Sequence, residues 1–341
     1  MLQEWKRKSI IKTIDYEIKN WILGDIVMEQ YIFGVDLGGT TVKLGLFRLD
    51  GTLLGKWEIP TRTENGGEHI LPDIAASMDA KLDEWAIKPD QVVGAGLGVP
   101  GAVLEDRYVK PCVNLNGWGG DVAGKLSELC GGIPVKVVND ANAAALGEMW
   151  QGGGKGCDNV VFVTLGTGVG GGIIVGGKLL TGVHGAGGEI GHLKVRAYEA
   201  DSCGCGKRGC LEQYASATGI VREANRRLIG LSTPSALREL EKVTAKDVFD
   251  CAKKGDALAM DVVELFGQCL GRALANVSCV CDPEVFVIGG GVSAAGQIIL
   301  DVVQKNFVAN AFPAAEETRF ELAKLGNDAG IYGCAQLVCA E

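Results

Sequence analysis

The sequence predicts an α/β protein built from two related lobes. Three observations carry that prediction. A strand that runs into a Gly/Thr loop and returns as further strands occurs twice. Helix-like and strand-like segments alternate between and after the two copies. The 51 glycines among 341 residues cluster in short runs rather than in a repeat, the pattern of backbone loops that must approach something closely.

The first copy starts at Tyr31. An apolar strand over 31–37 meets Gly38-Gly39-Thr40-Thr41, a second strand covers 42–48, Asp50-Gly51 turns the chain, and a third strand covers 52–59. In the second copy a strand over 159–165 meets a loop over 166–172, a strand over 173–175 and a Gly176-Gly177 turn. Leu37-Gly38-Gly39-Thr40 falls on Leu165-Gly166-Thr167-Gly168, as in an internal duplication. Between the copies, VKVVNDANAAALGE places Asn139 and Asp140 where a buried strand hands over to an alanine-rich helix. Two readings fit that carboxylate: a helix cap, or a ligand group at the C-terminal end of an α/β strand.

Composition narrows the function. The chain is long enough for two domains with full cores. It is 47% hydrophobic without an apolar run long enough to span a bilayer. A net charge of −9 argues against nucleic acid or an anionic membrane as partner. The 12 cysteines lie mostly in apolar or helical contexts, and no secretion signal precedes them, so a reducing cytoplasm is expected. Residues 1–27, with isoleucines at 10, 14, 18 and 22, read as an appended amphipathic helix or as an artefact of start assignment before Met28. The charge-rich stretches 222–227 and 236–246 read as solvated helix faces.

Two phosphate motifs fail on inspection. Gly166-x-Gly168-x-x-Gly171 matches a dinucleotide fingerprint but opens onto a strand instead of a helix. Gly172-x-x-x-x-Gly177-Lys178 lacks the P-loop Ser/Thr, because Leu179 stands there. A Gly/Thr hairpin can nonetheless hold phosphate through converging N–H groups and hydroxyls. The alternative is a tight turn in which glycine only supplies positive φ. Cys203, Cys205 and Cys210 lie within eight residues among Gly, Lys and Arg, and with His192 they make the four-ligand complement of a closed structural zinc site.

Five stretches, DLGGTTVK (36–43), VVNDANAAALGE (137–148), LGTGVGGG (165–172), GAGGEIGH (185–192) and CGCGKRGCLEQYASATG (203–219), together resemble the ROK family of bacterial sugar kinases, with the nearest likeness to its glucokinases. The resemblance runs from about Tyr31 to the C-terminus. It implies an actin-like, hexokinase-type (ribonuclease H-like) fold with the active site in a cleft between lobes. The small lobe would comprise 28–140 plus 328–341, with a last helix over 330–338, and the large lobe 141–327 with the zinc-binding loop. It also implies ATP as donor, the 6-hydroxyl of a hexose such as glucose as acceptor, and a homodimer or homotetramer. Fructokinase, N-acetylhexosamine kinase and a ROK-type transcription regulator are the alternatives; the segment before Tyr31 is too short for a helix-turn-helix domain.

On that resemblance Asp140 is the general base. Gly101, Asn116, Asn139, Glu189, His192 and Glu212 contact sugar, with His192 serving zinc and sugar through its two ring nitrogens. Asp36 holds Mg²⁺ through water. Gly38, Gly39, Thr40, Thr41, Lys43, Thr167 and Gly168 meet phosphate, although a lysine in Lys43's place is often just solvated. Gly290 and Gly291, after the strand EVFVIG, receive the adenosine or form an ordinary strand-to-helix turn.

Overall fold

The computed structural model describes residues 29–339, so the expectation for 1–27 lies outside the described residues. β1 (Tyr31–Leu37), β2 (Thr41–Arg48) and β3 (Leu53–Pro60) form an antiparallel meander, followed by α1 (Ile70–Glu84). β4 (Val92–Val99) joins β1 in parallel. A small sheet of β5 (Val103–Leu104), β6 (Tyr108–Cys112) and β7 (Trp118–Asp121) then leads through α2 (Val122–Leu129) to β8 (Val135–Asn139), parallel to β4. The sheet order is β3-β2-β1-β4-β8.

α3 (Asp140–Gln151) carries the chain to the second half. There β9 (Val160–Leu165), β10 (Val169–Val175) and β11 (Lys178–Leu179) form another meander. A long excursion includes α4 (Glu212–Ala215), α5 (Ala217–Gly230), α6 (Ala245–Lys253) and α7 (Ala257–Cys281). β12 (Val285–Gly289) pairs in parallel with β9, α8 (Gln297–Val308) follows, and β13 (Arg319–Leu322) pairs in parallel with β12. The order is β11-β10-β9-β12-β13, the same as in the first sheet, as a duplicated unit requires.

Both central strands, β1 and β9, are almost wholly buried because helices cover both faces, which is why they read as unbroken apolar runs. One core gathers Phe33, Leu44, Ile74 and Leu97; a second gathers Val163, Phe249, Phe266 and Phe286. The last helix, α9 (Ala329–Cys339), returns to the first sheet. Its backbone lies directly on glycines. A Cβ on Gly34 would sit 2.0 Å from the Ile331 carbonyl oxygen, and one on Gly96 1.8 Å from that of Cys334. α3 and α9 meet the same way, with Gly333 against Ala143 and Gly147 against Ala329.

Two expectations need correction. The loop placed at 166–172 is shorter, because β10 already begins at Val169; Gly170 and Gly172 are strand residues that let α3 pack on β10 through Ala141 and Ala145. The stretch 236–246 is no helix face: a 3₁₀ turn over Ala236–Glu239 runs into a loop, and α6 starts only where Thr244 and Asp247 form a capping box.

The glycine contacts give a stability test. A Cβ at Gly333 would lie 1.6 Å from the Ala143 carbonyl oxygen, and backbone cannot yield cheaply there. Gly333→Ala should therefore cost at least about 2 kcal/mol in denaturant unfolding. Gly230→Ala, with nothing within 4 Å of the new carbon, should be neutral or stabilising by up to about 1 kcal/mol. Equal stability of the two variants would show that the helix contact is not tight.

Candidate active site

A cleft of ≈ 1050 Å³ is lined by the C-terminal ends of β1, β8, β9 and β12 and by the starts of α3 and α9. Binding pockets commonly run from about 300 to 1,000 Å³, so the cleft has room for two ligands side by side. Asp36, Gly38, Gly39, Lys43, Gly101, Asn139, Asp140, Gly168, Glu189, His192, Glu212, Gly290 and Gly291 all line it. Thr40, Thr41, Thr167 and Asn116 do not. Thr41 is already the first residue of β2, and the Thr167 carbonyl accepts from the Thr218 hydroxyl at 2.8 Å. Asn116 adopts a left-handed conformation with φ 54 and donates to the Thr63 carbonyl at 3.4 Å; Asn114, not singled out from sequence, lines the cleft instead.

At the junction of β8 and α3 the two polar side chains divide the helix-end contacts. Asn139 is the cap: its Oδ1 accepts from the N–H groups of Ala141 (3.0 Å) and Asn142 (3.3 Å), and its Nδ2 donates to the Gly101 carbonyl at 3.2 Å. Asp140 is the first helical residue, and its Oδ1 accepts from Ala141 N–H at 2.8 Å. Its carboxylate is exposed to the cleft, yet the crevice walls strip away enough solvent to push its pKa up to about 6; Asp36 and Glu189 add to the rise, against the Ala141 N–H. Asp36 is raised too, mainly by desolvation, with Lys43, its cross-strand partner, opposing. Lys43 is not simply solvated: its Nζ donates to the Asn327 carbonyl at 3.2 Å.

Each hairpin loop has one packed and one open glycine: a Cβ on Gly38 would lie 2.8 Å from the Thr41 carbonyl oxygen, and one on Gly168 2.3 Å from the Glu212 carboxylate. Gly38, Gly39, Gly166 and Gly168 all lack positive φ. A Cβ on Gly39 would meet only the Asn114 carbonyl oxygen at 3.8 Å, and one on Gly166 or Gly291 would meet nothing within 4 Å. No protein contact demands glycine at those three positions; what they share is an unobstructed face on the cleft. The tight-turn alternative therefore does not explain them.

On the other wall, His192, Cys203, Cys205 and Cys210 bring their ligand atoms within 4.8 Å of one another. The Cys205 and Cys210 sulfurs are 3.7 Å apart, close to the edge of about 3.8 Å expected for a tetrahedron with Zn–S of about 2.3 Å. His192 turns Nδ1 toward Cys203 (3.7 Å) and Nε2 toward Glu189 (3.9 Å). Burial pushes the Cys203 thiol up and the Cys210 thiol up to about 12, while the Lys207 N–H draws the Cys205 thiol down, so a cation bound by this set must displace protons. Glu212 accepts from Val169 N–H at 3.0 Å, joining the cysteine loop to the second hairpin.

Sequence reasoning missed the residues that hold this loop. Gln213, buried, accepts from the N–H groups of Gly209 (2.7 Å) and Cys210 (3.1 Å) and donates to the Asp201 carbonyl (3.0 Å). Arg222 and Arg226, in a stretch read as a solvated face, reach across from α5 to Glu199, whose side chain is only 3% exposed. Position in the chain gave no signal for these pairings. Thr164, Asn142 and Glu148 also line the cleft unanticipated.

The ROK family profile matches residues 32–341. A glucokinase from Halalkalibacterium halodurans is 42% identical over 91% of this chain and 95% of its own length. The crystal structure of a ROK family glucokinase from Streptomyces griseus, in complex with glucose and AMPPNP, is 34% identical with a TM-score of 0.70, covering 90% of this chain and 98% of that one. A putative xylose repressor from a Caldicellulosiruptor species is 29% identical over 91% of this chain and 78% of its own. These likenesses establish the two-lobed actin-like fold. Among the described residues no helix is long and apolar enough to cross a membrane.

The geometry predicts a titration. Observed by carbon NMR of labelled carboxyls, Asp140 should titrate near pH 6, well above an ordinary aspartate. Asp36→Asn removes a like charge and should lower that value; an unshifted titration near pH 4 would contradict the described crowding.

Proposed function

This chain belongs to the ROK family, and on that premise we propose that it is an ATP-dependent hexokinase phosphorylating the 6-hydroxyl of glucose. The observation that carries the reading is one cleft in which Asp140 shares walls with both glycine hairpins and with the metal-facing histidine. The repressor relative is less alike, and nothing in the cleft favours a purely regulatory role.

Phosphoryl transfer requires positioning, charge neutralisation and a base for the attacking hydroxyl. Asp140 is that base. A pKa of about 6 leaves it ionised at neutral pH, yet more basic than an exposed aspartate, the compromise general-base catalysis favours. Glu189 and Glu212 accept from sugar hydroxyls, Asn139 offers its second amide N–H, and Gly101 borders the sugar. Gly38, Gly39 and Gly168 meet the phosphates, with open space at Gly39 and, beside Gly168, at Gly166; Lys43 adds positive charge, and Gly290 and Gly291 accommodate adenosine. Asp36 suits a Mg²⁺ that travels with the nucleotide and neutralises its charge.

Zinc fits the His192–Cys203–Cys205–Cys210 set and, when bound, supplies a rigid cross-link and a fixed histidine tautomer. With Nδ1 toward the metal site, Nε2–H would remain as a donor to a sugar oxygen, 3.9 Å from the Glu189 carboxylate that accepts from a neighbouring hydroxyl.

Asp140→Asn should leave the thermal melt intact, keep the glucose KM within a few-fold, and lower kcat by about 10²–10⁴-fold. Near-normal turnover would refute the assignment. A coupled ADP-release assay across a hexose panel separates glucokinase from fructokinase and N-acetylhexosamine kinase. Elemental analysis should find one zinc per chain, and its removal should weaken glucose binding and lower the melting temperature together. A metal-free preparation with unaltered glucose affinity would break the proposed link between metal and sugar.

A further inference from the structure

Glu148, two turns along α3 from Asp140, has no part in the chemistry described above. It is fully buried and lines the cleft from below. A buried carboxylate is costly unless its oxygens are filled. Here three backbone N–H groups fill them: Gly153 at 2.7 Å, Lys324 at 3.0 Å and Leu325 at 2.8 Å. The first comes from the turn after α3. The other two belong to the strand-to-helix segment between β13 and α9, more than 170 residues away in sequence. The glycine run after α3 permits this: a Cβ on Gly152 would fall 2.0 Å from the Glu148 carboxylate oxygen.

That distant segment is a wall of the cleft. Ala323, Gly326 and Asn327 line it. Ala323 lies beside Gly289, next to Gly290 and Gly291 at the end of β12, while the Asn327 carbonyl accepts from Lys43. The wall therefore borders Lys43 and the Gly290–Gly291 turn, the end assigned above to nucleotide. Asp140 and Glu148 share one helix, and eight residues at about 1.5 Å each separate them by about 12 Å. Any displacement of the wall relative to the base must break the Glu148 bonds.

We infer that Glu148 is a positioning residue for the phosphoryl donor: its carboxylate fixes the 323–327 wall to the helix that carries Asp140, so that nucleotide is held in register with the base. The inference rests on the kinase reading given above. Glu148→Gln keeps the shape but replaces one acceptor oxygen with an NH₂ that faces N–H donors. Titration calorimetry with Mg²⁺ and a non-hydrolysable ATP analogue should show affinity weakened about tenfold or more, the fold-change one lost charge-assisted bond supports. Glucose affinity, measured without nucleotide, should stay within twofold.

Unaltered nucleotide affinity in the variant, or an equal loss for both ligands, overturns the inference; the second result would mark a residue that only stabilises the fold. If Glu148→Gln does not fold, Glu148→Asp, which keeps the charge but shortens its reach, is judged by the same split between ligands. Wild-type protein that binds the analogue and glucose beside an indifferent variant defeats the positioning role alone. Wild-type protein that binds glucose and no analogue defeats the kinase reading and the inference with it.

Discussion

The contact between α3 and α9 is the constraint on which the rest of the molecule depends. Their backbones meet at Gly333 and Gly147, and α9 also rests on Gly34 and Gly96 in the first sheet. At such distances no side chain cushions the crossing, so the two helices and strands β1 and β4 take one arrangement. The cleft inherits its geometry from that crossing. Gly330, near the start of α9, packs against the Asp36 side chain at the end of β1, while α3 begins with Asp140. Two carboxylates from separate parts of the chain thus face one cavity because two helices cannot sit anywhere else.

Electrostatics then decides what the cavity suits. Asp36, Asp140 and Glu189 crowd negative charge into a crevice that solvates it poorly, and two of the three carboxyls are held above their ordinary pKa. Such a site suits proton acceptance and divalent cations better than anions alone, whereas the loops beside it leave open space at Gly39 and Gly166. The opposite wall is stiffened by the four-ligand cluster and by Gln213, Glu199, Arg222 and Arg226 around it. His192 faces Cys203 with one nitrogen and Glu189 with the other, so the cysteine loop and the acidic wall meet at one ring.

Much of this was legible because local chemistry leaves local marks. The strands at 31–37 and 42–48 announce themselves as apolar runs, and the ligand cysteines are close in sequence. Asp140 and Asn139 were visible as polar residues at a strand end, but their division of labour was not. Which of two adjacent side chains caps α3 depends on backbone dihedrals, and the structure gives the cap to Asn139. Thr40, Thr41 and Thr167 looked suited to phosphate by residue type, yet none lines the cleft; Thr41 pairs with Pro60 in the first meander, and the Thr167 carbonyl accepts from the Thr218 hydroxyl. Arg222 and Arg226 looked solvated because their partners lie more than twenty residues upstream.

By itself the sequence determined the alternating α/β plan, its duplication, the grouping of His192 with three cysteines and the carboxylate at the head of α3, since each is a pattern within a short window. Only the tertiary structure decided the pairings that cross the chain: Lys43 with Asn327, Glu148 with Lys324 and Leu325, and α9 against α3. The reason is physical. Hydrophobic periodicity and ligand spacing are properties of neighbouring residues, whereas a buried acceptor is matched to its donors by the packing of whole helices, and no local pattern encodes that match.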